Sequence, residues 1–230
     1  MVIILTINNK LLSTFGISTV LTFNHTTSTY TNSGAYWNEG SLKALRGVKN
    51  ETYRKLKSKF LFSGKSKIDL KKYISRFIEE CKDCKFKDDN FYYDVELTSN
   101  SEPEFIGTTK AILSLDFDLL DLYENEKNIT KNTNFNIDIN SPKPCYANLE
   151  LIATTNVISY TIKINNTEII VKNIKGNETI YIGSGKVVAN GNSKINDVEI
   201  WEFPKLQPGG NKIEVNRSDV NLTIRYYERW

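Results

Sequence analysis

Three cysteines, one histidine and a few spaced carboxylates are the residues of this 230-residue chain whose types and spacing could do chemistry. Cys81 and Cys84 form a C-x-x-C pair, the spacing of half a zinc site or of a dithiol redox centre. A structural zinc would need two more ligands, and Cys145 and His25 could supply them only across long stretches of sequence. A reactive dithiol is stabilised as thiolate where it opens a helix, at the positive end of the dipole; this pair closes one, behind Glu79 and Glu80. Three cysteines are also too few for a disulfide framework, so the expectation is structural thiols, with no metal and no cofactor.

The remaining chemical patterns dissolve in the same way. Asp116 and Asp118 lie two apart, as acid/base or calcium carboxylates might, but they alternate with Leu115, Phe117 and Leu119 and read as the solvated face of a strand. Gly183-Ser184-Gly185-Lys186 lacks the first glycine of a phosphate loop, at Ile180, and has Val187 where a hydroxyl is required, so it reads as a hairpin turn. A Ser-His-Asp triad would have to use His25, whose FNHTT context carries no nucleophile elbow, and no G-x-S-x-G occurs. The Asn-x-Ser/Thr triplets at Asn24, Asn50, Asn128, Asn165, Asn177, Asn216 and Asn221 are what an Asn- and Thr-rich chain yields by chance. The expectation is a protein without enzymatic activity.

The elements that position these residues are mainly strands. One helix is expected over about 68–85: Leu70, Tyr73, Ile74, Phe77, Ile78 and Cys81 form a single apolar stripe at the helical period, with Ser66 as N-cap and Asp69 three residues on. Such a stripe packs on a sheet. Val2–Ile7, Val20–Phe23, Tyr53–Phe62, Phe91–Leu97 and Ala111–Leu119 are rich in β-branched and aromatic residues and read as its strands. Asn32–Gly47, with three glycines and with Tyr36 and Trp37 among small polar residues, reads as a long loop or projecting hairpin.

Composition bounds the rest. The chain is 40% hydrophobic and 11% aromatic, enough for packed cores, and its net charge of +3 gives no reason to invoke nucleic acid or a membrane. Met1–Leu5 is too short an apolar run for a signal peptide, and no run approaches a bilayer span, so a soluble product made in the cytoplasm is expected. Charge is nevertheless segregated: Lys43–Lys72 carries eleven basic residues against two acidic, and Asp88–Glu126 eleven acidic against one basic. Two readings stand side by side. Lys55, Lys57 and Lys59 could pair with Asp94 and Glu96 on a neighbouring strand of the same sheet. Alternatively, the basic face of one subunit meets the acidic face of the next, a heterologous contact that closes into rings. A nucleic-acid site on the basic block is disfavoured by its sparse aromatics and by the acidic block nearby.

A second domain is expected to begin at Asn132, giving domains over 1–131 and 132–230, joined through the polar segment Tyr123–Ser141. Beyond it, Ala147–Ala153, Ile158–Ile164, Thr167–Val171, Glu178–Ile182, Lys186–Ala189 and Glu199–Phe203 are short strands separated by Asn165-Asn166, Gly183-Ser184-Gly185, Asn190-Gly191 and Pro208-Gly209-Gly210, the pattern of a sandwich. The chain closes on WEFPKLQPGGNKIEV (201–215) and VNLTIRYYERW (220–230), a Pro/Gly corner followed by two alternating strands that read as a terminal hairpin.

That closing order of aromatic, Phe-Pro, Leu, Pro-Gly, Asn, Ile, strand, Tyr and Arg-Trp resembles the end of the distal tail proteins of long-tailed bacteriophages. GNETIYIGSGKVVANG (176–191) extends the likeness backwards, and Phe15-Gly16 and SRFIEE in the helix fit it more loosely. The resemblance implies a mainly β chain of two domains: an amino-terminal β-sandwich or barrel with one helix and a projecting hairpin, and a carboxyl-terminal galectin-like antiparallel sandwich. It implies a structural part of the virion tail tip or baseplate, assembled in the host cytoplasm. There it would form a ring, usually a hexamer, joining the tail tube protein to the hub and receptor-binding apparatus, in company with the tape measure protein. Lys55, Lys57, Lys59, Asp94, Glu96, Tyr36 and Trp37 are the candidate subunit contacts. The alternative is a glycan-binding sandwich used in host adhesion, for which Trp201, Trp230 and Tyr181 are the candidate platform residues.

Overall fold

The computed structural model describes residues 5–27 and 54–230 in full and, between them, the backbone of four short strands. The chain divides into two compact units, Met1–Leu122 and Tyr123–Trp230. The boundary expected at 131/132 falls inside the second unit, because Lys127–Lys131 is a strand paired with Val220–Tyr226.

In the first unit, eight strands form one sheet in the order Lys10–Leu11, Thr6–Ile7, Asp83–Lys87, Phe91–Asn100, Lys110–Glu124, Arg54–Ser63, Ile17–His25, with Glu104–Ile106 added beside Lys110–Glu124. Period-two burial drives it: Leu56, Ser58, Phe60 and Phe62 point inward from Arg54–Ser63, and Ala111, Leu113, Leu115, Phe117 and Leu119 from its neighbour. The sheet curls so far that Phe23, on one edge strand, touches Phe86 and Tyr93 at ring centroid distances of 5.3 and 5.1 Å. Phe60, Phe62 and Phe15 all pack on Phe77 of the helix, at 5.0, 5.7 and 5.5 Å.

The helix spans Lys67–Glu80, with Ser66 Oγ accepting from Asp69 N at 3.2 Å as its N-cap. It ends five residues before the expected position. Cys81 caps it, and Asp83–Lys87 is a strand whose Cys84 and Phe86 are buried while Asp83 and Lys85 are exposed, paired on one side with Phe91–Asn100 and on the other with Thr6–Ile7. Two-sided pairing outweighs the continuation of a helical stripe here. The helix end is clipped back to the first strands: Lys10 Nζ lies 2.8 Å from Glu80 Oε2, and Asn8 Nδ2 donates to Oε1 at 2.9 Å. Over the region expected as a loop or hairpin, Tyr30–Asn32 pairs with Lys49–Glu51 and Ala35–Tyr36 with Leu45–Arg46, a nested antiparallel hairpin.

The second unit is an antiparallel sandwich. One sheet runs Lys127–Lys131, Val220–Tyr226, Cys145–Ala153, Thr179–Gly183, Lys186–Ala189, Asn192–Ser193, with Lys205–Leu206 beside Cys145–Ala153; the other runs Phe135–Ile139, Gly209–Val215, Val157–Ile164, Thr167–Ile174, Val198–Glu199. Leu149, Leu151, Leu222 and Ile224 from the first meet Tyr160, Ile162, Ile169, Val171 and Ile213 from the second in one core. Ser184 and Gly185, and again Asn190 and Gly191, take positive φ in two-residue hairpin turns, the geometry that matches strand twist.

Three expectations are corrected in this unit. The polar segment 123–141 holds two strands not marked in the sequence, Lys127–Lys131 at a sheet edge and Phe135–Ile139, whose Ile137 and Ile139 enter the core. The strand expected over Glu199–Phe203 is only Val198–Glu199, since the chain leaves the ladder before Pro204, which has no N–H to donate. The closing strands are not a hairpin. Gly209–Val215 pairs with Phe135–Ile139 and Val157–Ile164, whereas Val220–Tyr226 pairs with Lys127–Lys131 and Cys145–Ala153 in the opposite sheet. Asn216–Asp219 crosses between them, with Asn216 Oδ1 accepting from Thr161 N at 2.9 Å and Arg217 gripping Asp219 through two hydrogen bonds.

The Pro208-Gly209-Gly210 corner is held by Asn211, only 1% exposed. Its amide nitrogen donates to the carbonyls of Gln207 (2.8 Å), Gly209 (3.0 Å) and, more weakly, Ile137 (3.3 Å), and its oxygen accepts from Gln207 N (2.7 Å) and Asn165 Nδ2 (2.9 Å). Tyr160, fully buried, has a hydroxyl with no partner among the described residues. Chemical denaturation should therefore separate two polar deletions. Asn211→Ala, which leaves the buried Ile137 carbonyl and the corner amides and carbonyls without this partner, is expected to cost about 1–2 kcal/mol, while Tyr160→Phe should leave stability unchanged or raise it by up to about 1 kcal/mol. Hydrogen bonds from Lys10 and Asn8 hold the Glu80 carboxyl below its usual range. A depressed folded-state pKa stabilises above the unfolded value and is lost as pH falls through the folded one, so Glu80→Gln should lower the denaturation midpoint at pH 7, the difference from wild type closing below about pH 4.

Candidate functional site

Strand order decides where the segregated charges meet. Lys110–Glu124 lies between the lysine strand and Phe91–Asn100, so Lys55, Lys57 and Lys59 do not neighbour Asp94 and Glu96. The register instead sets Asp118 opposite Lys55, Asp116 opposite Lys57 and Ser114 opposite Lys59. Lys55 and Asp118 form an ion pair, and Asp116 also accepts from Ser99 Oγ at 3.1 Å. Asp94 pairs with Lys85 at 3.2 Å, while Glu96 stands opposite another carboxylate, Asp83. The intramolecular pairing read from the sequence therefore exists with a different acidic strand. Asp116 and Asp118 are its acidic members and work as a solvated face. Among the described residues Lys57, Lys59 and Glu96 form no ion pair. Tyr36 belongs to the nested hairpin, and Trp37 lies outside the described residues.

Cys81 and Cys84 are buried, and burial together with the adjacent Cys84 pushes the Cys81 thiol far above its ordinary pKa, the reverse of a reactive thiolate. His25 is exposed near Tyr93, and Cys145 belongs to the second unit, where its sulfur sits 3.5 Å from Ser141 Oγ. The four potential zinc ligands thus sit on separate elements.

The three aromatic platform candidates are placed quite differently. Trp230 is half-buried and its indole N–H donates to Glu124 Oε1 at 3.1 Å. Tyr181 is half-buried within Thr179–Gly183, its hydroxyl 3.4 Å from Ser184 Oγ. Trp201 is 101% exposed and lies just past Val198–Glu199, at the edge of the other sheet. It borders a groove of about 580 Å³ lined by Asn166, Thr167, Glu168, Ile170, Glu199, Ile200 and Glu202. Sequence reasoning missed these neighbours, although a signal was present. Trp201 lies between Glu199 and Glu202 in the stretch before Pro204, a polar setting for a large aromatic side chain.

Residues 140–230 match the family model described as siphovirus-type tail component, C-terminal domain, of the SPP1 Dit type. The chain is similar along its whole length to the crystal structure of the phage SPP1 Dit protein (gp 19.1), described as a paradigm of the hub adsorption apparatus in phages that infect Gram-positive bacteria. That likeness has a TM-score of 0.78 at 11% identity and covers 100% of both chains. A chain of the phage P2 baseplate in its activated conformation with Ca is similar at a TM-score of 0.54 and 12% identity, over 90% of this chain and 89% of that one. The corresponding structure with Sr gives 0.52 and 13%, over 88% and 89%. A comparison with curated protein sequences gives no match. At these identities the structural likenesses establish fold, and the family rests on the carboxyl-terminal match. Residues 140–230 thus resemble the carboxyl-terminal domain of the siphovirus-type tail components, and along its full length the chain carries the fold of a phage Dit protein.

Proposed function

We propose that the protein is a non-enzymatic structural part of a phage tail tip or baseplate, in which six copies form a ring joining the tail tube to the hub and receptor-binding apparatus. The observation that carries this reading is the coincidence of the family match over residues 140–230 with a fold match spanning the whole chain. A tail component performs its work through surfaces. The chemistry-bearing residues are consistent with that: cysteines buried away from solvent and carboxylates paired along a sheet face.

For the ring itself, a heterologous contact needs unlike patches on one copy. Lys55 and Asp94 are engaged within their own sheet, which narrows the contact to Lys57 and Lys59 meeting Glu96 of the next copy, with Tyr36, in the strand Ala35–Tyr36, and Trp37 as a second contact. Tail tube, hub and tape measure proteins are the proposed partners, and the virion tail tip is the proposed location after assembly in the host cytoplasm. No helix among the described residues is long and apolar enough to cross a membrane.

Native mass spectrometry of the full chain, alone and with tail tube protein, should show a species of six 26.3 kDa subunits. A monomer under both conditions would remove the ring from the reading. Lys57→Glu combined with Lys59→Glu should reduce the hexamer fraction most strongly at low salt, because exposed charges are screened beyond about 10 Å at 0.1 M salt. Unchanged assembly in that variant would place the subunit contact elsewhere.

A further inference from the structure

We propose that the groove beside Trp201 binds an uncharged pyranose oligosaccharide. Folding does not explain Trp201, whose indole is fully exposed and contributes nothing to the sandwich core. It lines a groove in which half-buried Ile170 and Ile200 supply an aliphatic wall and Glu168, Glu199 and Glu202 supply hydrogen-bonding groups. A sugar ring has the matching anatomy, an apolar C–H face to lie on an aromatic ring and an equator of hydroxyls.

Charge narrows the ligand class. Each carboxylate faces a lysine: Glu168 with Lys163 at 3.3 Å, Glu202 with Lys205 at 3.1 Å, and Glu199 with Lys172 in close contact. Each carboxylate of the lining is thus paired with a lysine, and none of the lining residues is basic. The groove offers no excess positive field for a phosphorylated or sulfated polymer, while its carboxylate oxygens can accept hydroxyl protons.

The groove is also held in place. Asn165, in the turn at its end, receives Lys212 N on its side-chain oxygen at 2.9 Å and donates to Asn211, and Glu199 is fixed opposite Ile170 in the ladder. Preorganised groups favour a small polar ligand, which cannot offset the ordering of loops. A protein partner fits less well. A stable protein interface buries about 800 Å² per side around several apolar anchors, whereas Trp201 is the single aromatic residue that lines this groove.

The test uses the full-length protein on an array of neutral and anionic oligosaccharides, followed by tryptophan-fluorescence titration with triacetylchitotriose and with maltotriose to about 10 mM. Wild type is expected to bind a neutral oligosaccharide with a Kd on the order of 1 mM or below. Trp201→Ala should weaken binding at least about tenfold with an unchanged melting temperature, and Trp201→Phe should retain most of it. Three outcomes overturn the proposal: no neutral oligosaccharide bound, equal binding by Trp201→Ala, or a preference for anionic glycans that salt abolishes. Loss of hexamer in Trp201→Ala without saccharide binding by wild type also overturns it, assigning Trp201 to a subunit contact. Native mass measured on the same samples reads the ring separately, so the two readings fail independently.

Discussion

Closure of the carboxyl-terminal sandwich rests on the buried amide of Asn211. A chain that turns through Pro208-Gly209-Gly210 leaves the Gln207 and Gly209 backbone groups outside the regular ladder, and a hydrogen bond to each contributes about 0.5–1.5 kcal/mol. One side chain with both a donor and an acceptor answers most of that need. It joins Gln207 and Gly209 within the corner to Ile137 on the neighbouring strand and to Asn165 in a distant turn. Gly209–Val215 is thereby seated in its sheet, and the following strand is delivered to the opposite one. The turn beside the Trp201 groove is anchored by the same amide, so the corner positions the surface as well as the core.

The amino-terminal unit is organised by aromatic packing. Phe77 of the helix meets Phe15, Phe60 and Phe62, and Phe86 meets Phe23, Phe60 and Phe117. Contacts of this kind between strands that are not neighbours hold the curl of the sheet. The outward positions of the same strands are then left to lysine and aspartate, so the segregated charge along the sequence becomes a cross-strand ladder on the solvent face. Exposed pairs of this sort contribute at most about 1 kcal/mol each. Their consequence lies in which charges they leave for other molecules, here Lys57, Lys59 and Glu96.

Much of this was legible in the residues. The cap at Ser66, the helical stripe, the burial phase of Arg54–Ser63 and the two-residue turns at Ser184-Gly185 and Asn190-Gly191 all follow from interactions within a few positions, where local sterics and period settle the outcome. The terminal motif carried the family resemblance, because turn residues and strand phase are both written locally. The thiols, likewise, read as structural from their place at the end of a helix rather than its start.

What the sequence could not hold was partnership. Alternation in Gly209–Val215 and Val220–Tyr226 states that each strand has an inner face, yet it is silent on the neighbour, and two strands that look like a hairpin belong to opposite sheets. Lys55 and its neighbours were legible as an outward row, but only the insertion of Lys110–Glu124 between them and Asp94 decided which carboxylates they meet. Trp201 was legible as a platform candidate, whereas the groove around it needed a turn thirty-five residues away. By itself the sequence determined element type, burial phase and the family likeness of the carboxyl-terminal domain, all properties of short windows. Tertiary structure alone decided sheet membership, charge partners and the lining of the groove, because long-range pairing is chosen by the packing of the whole core and not by any segment that takes part in it.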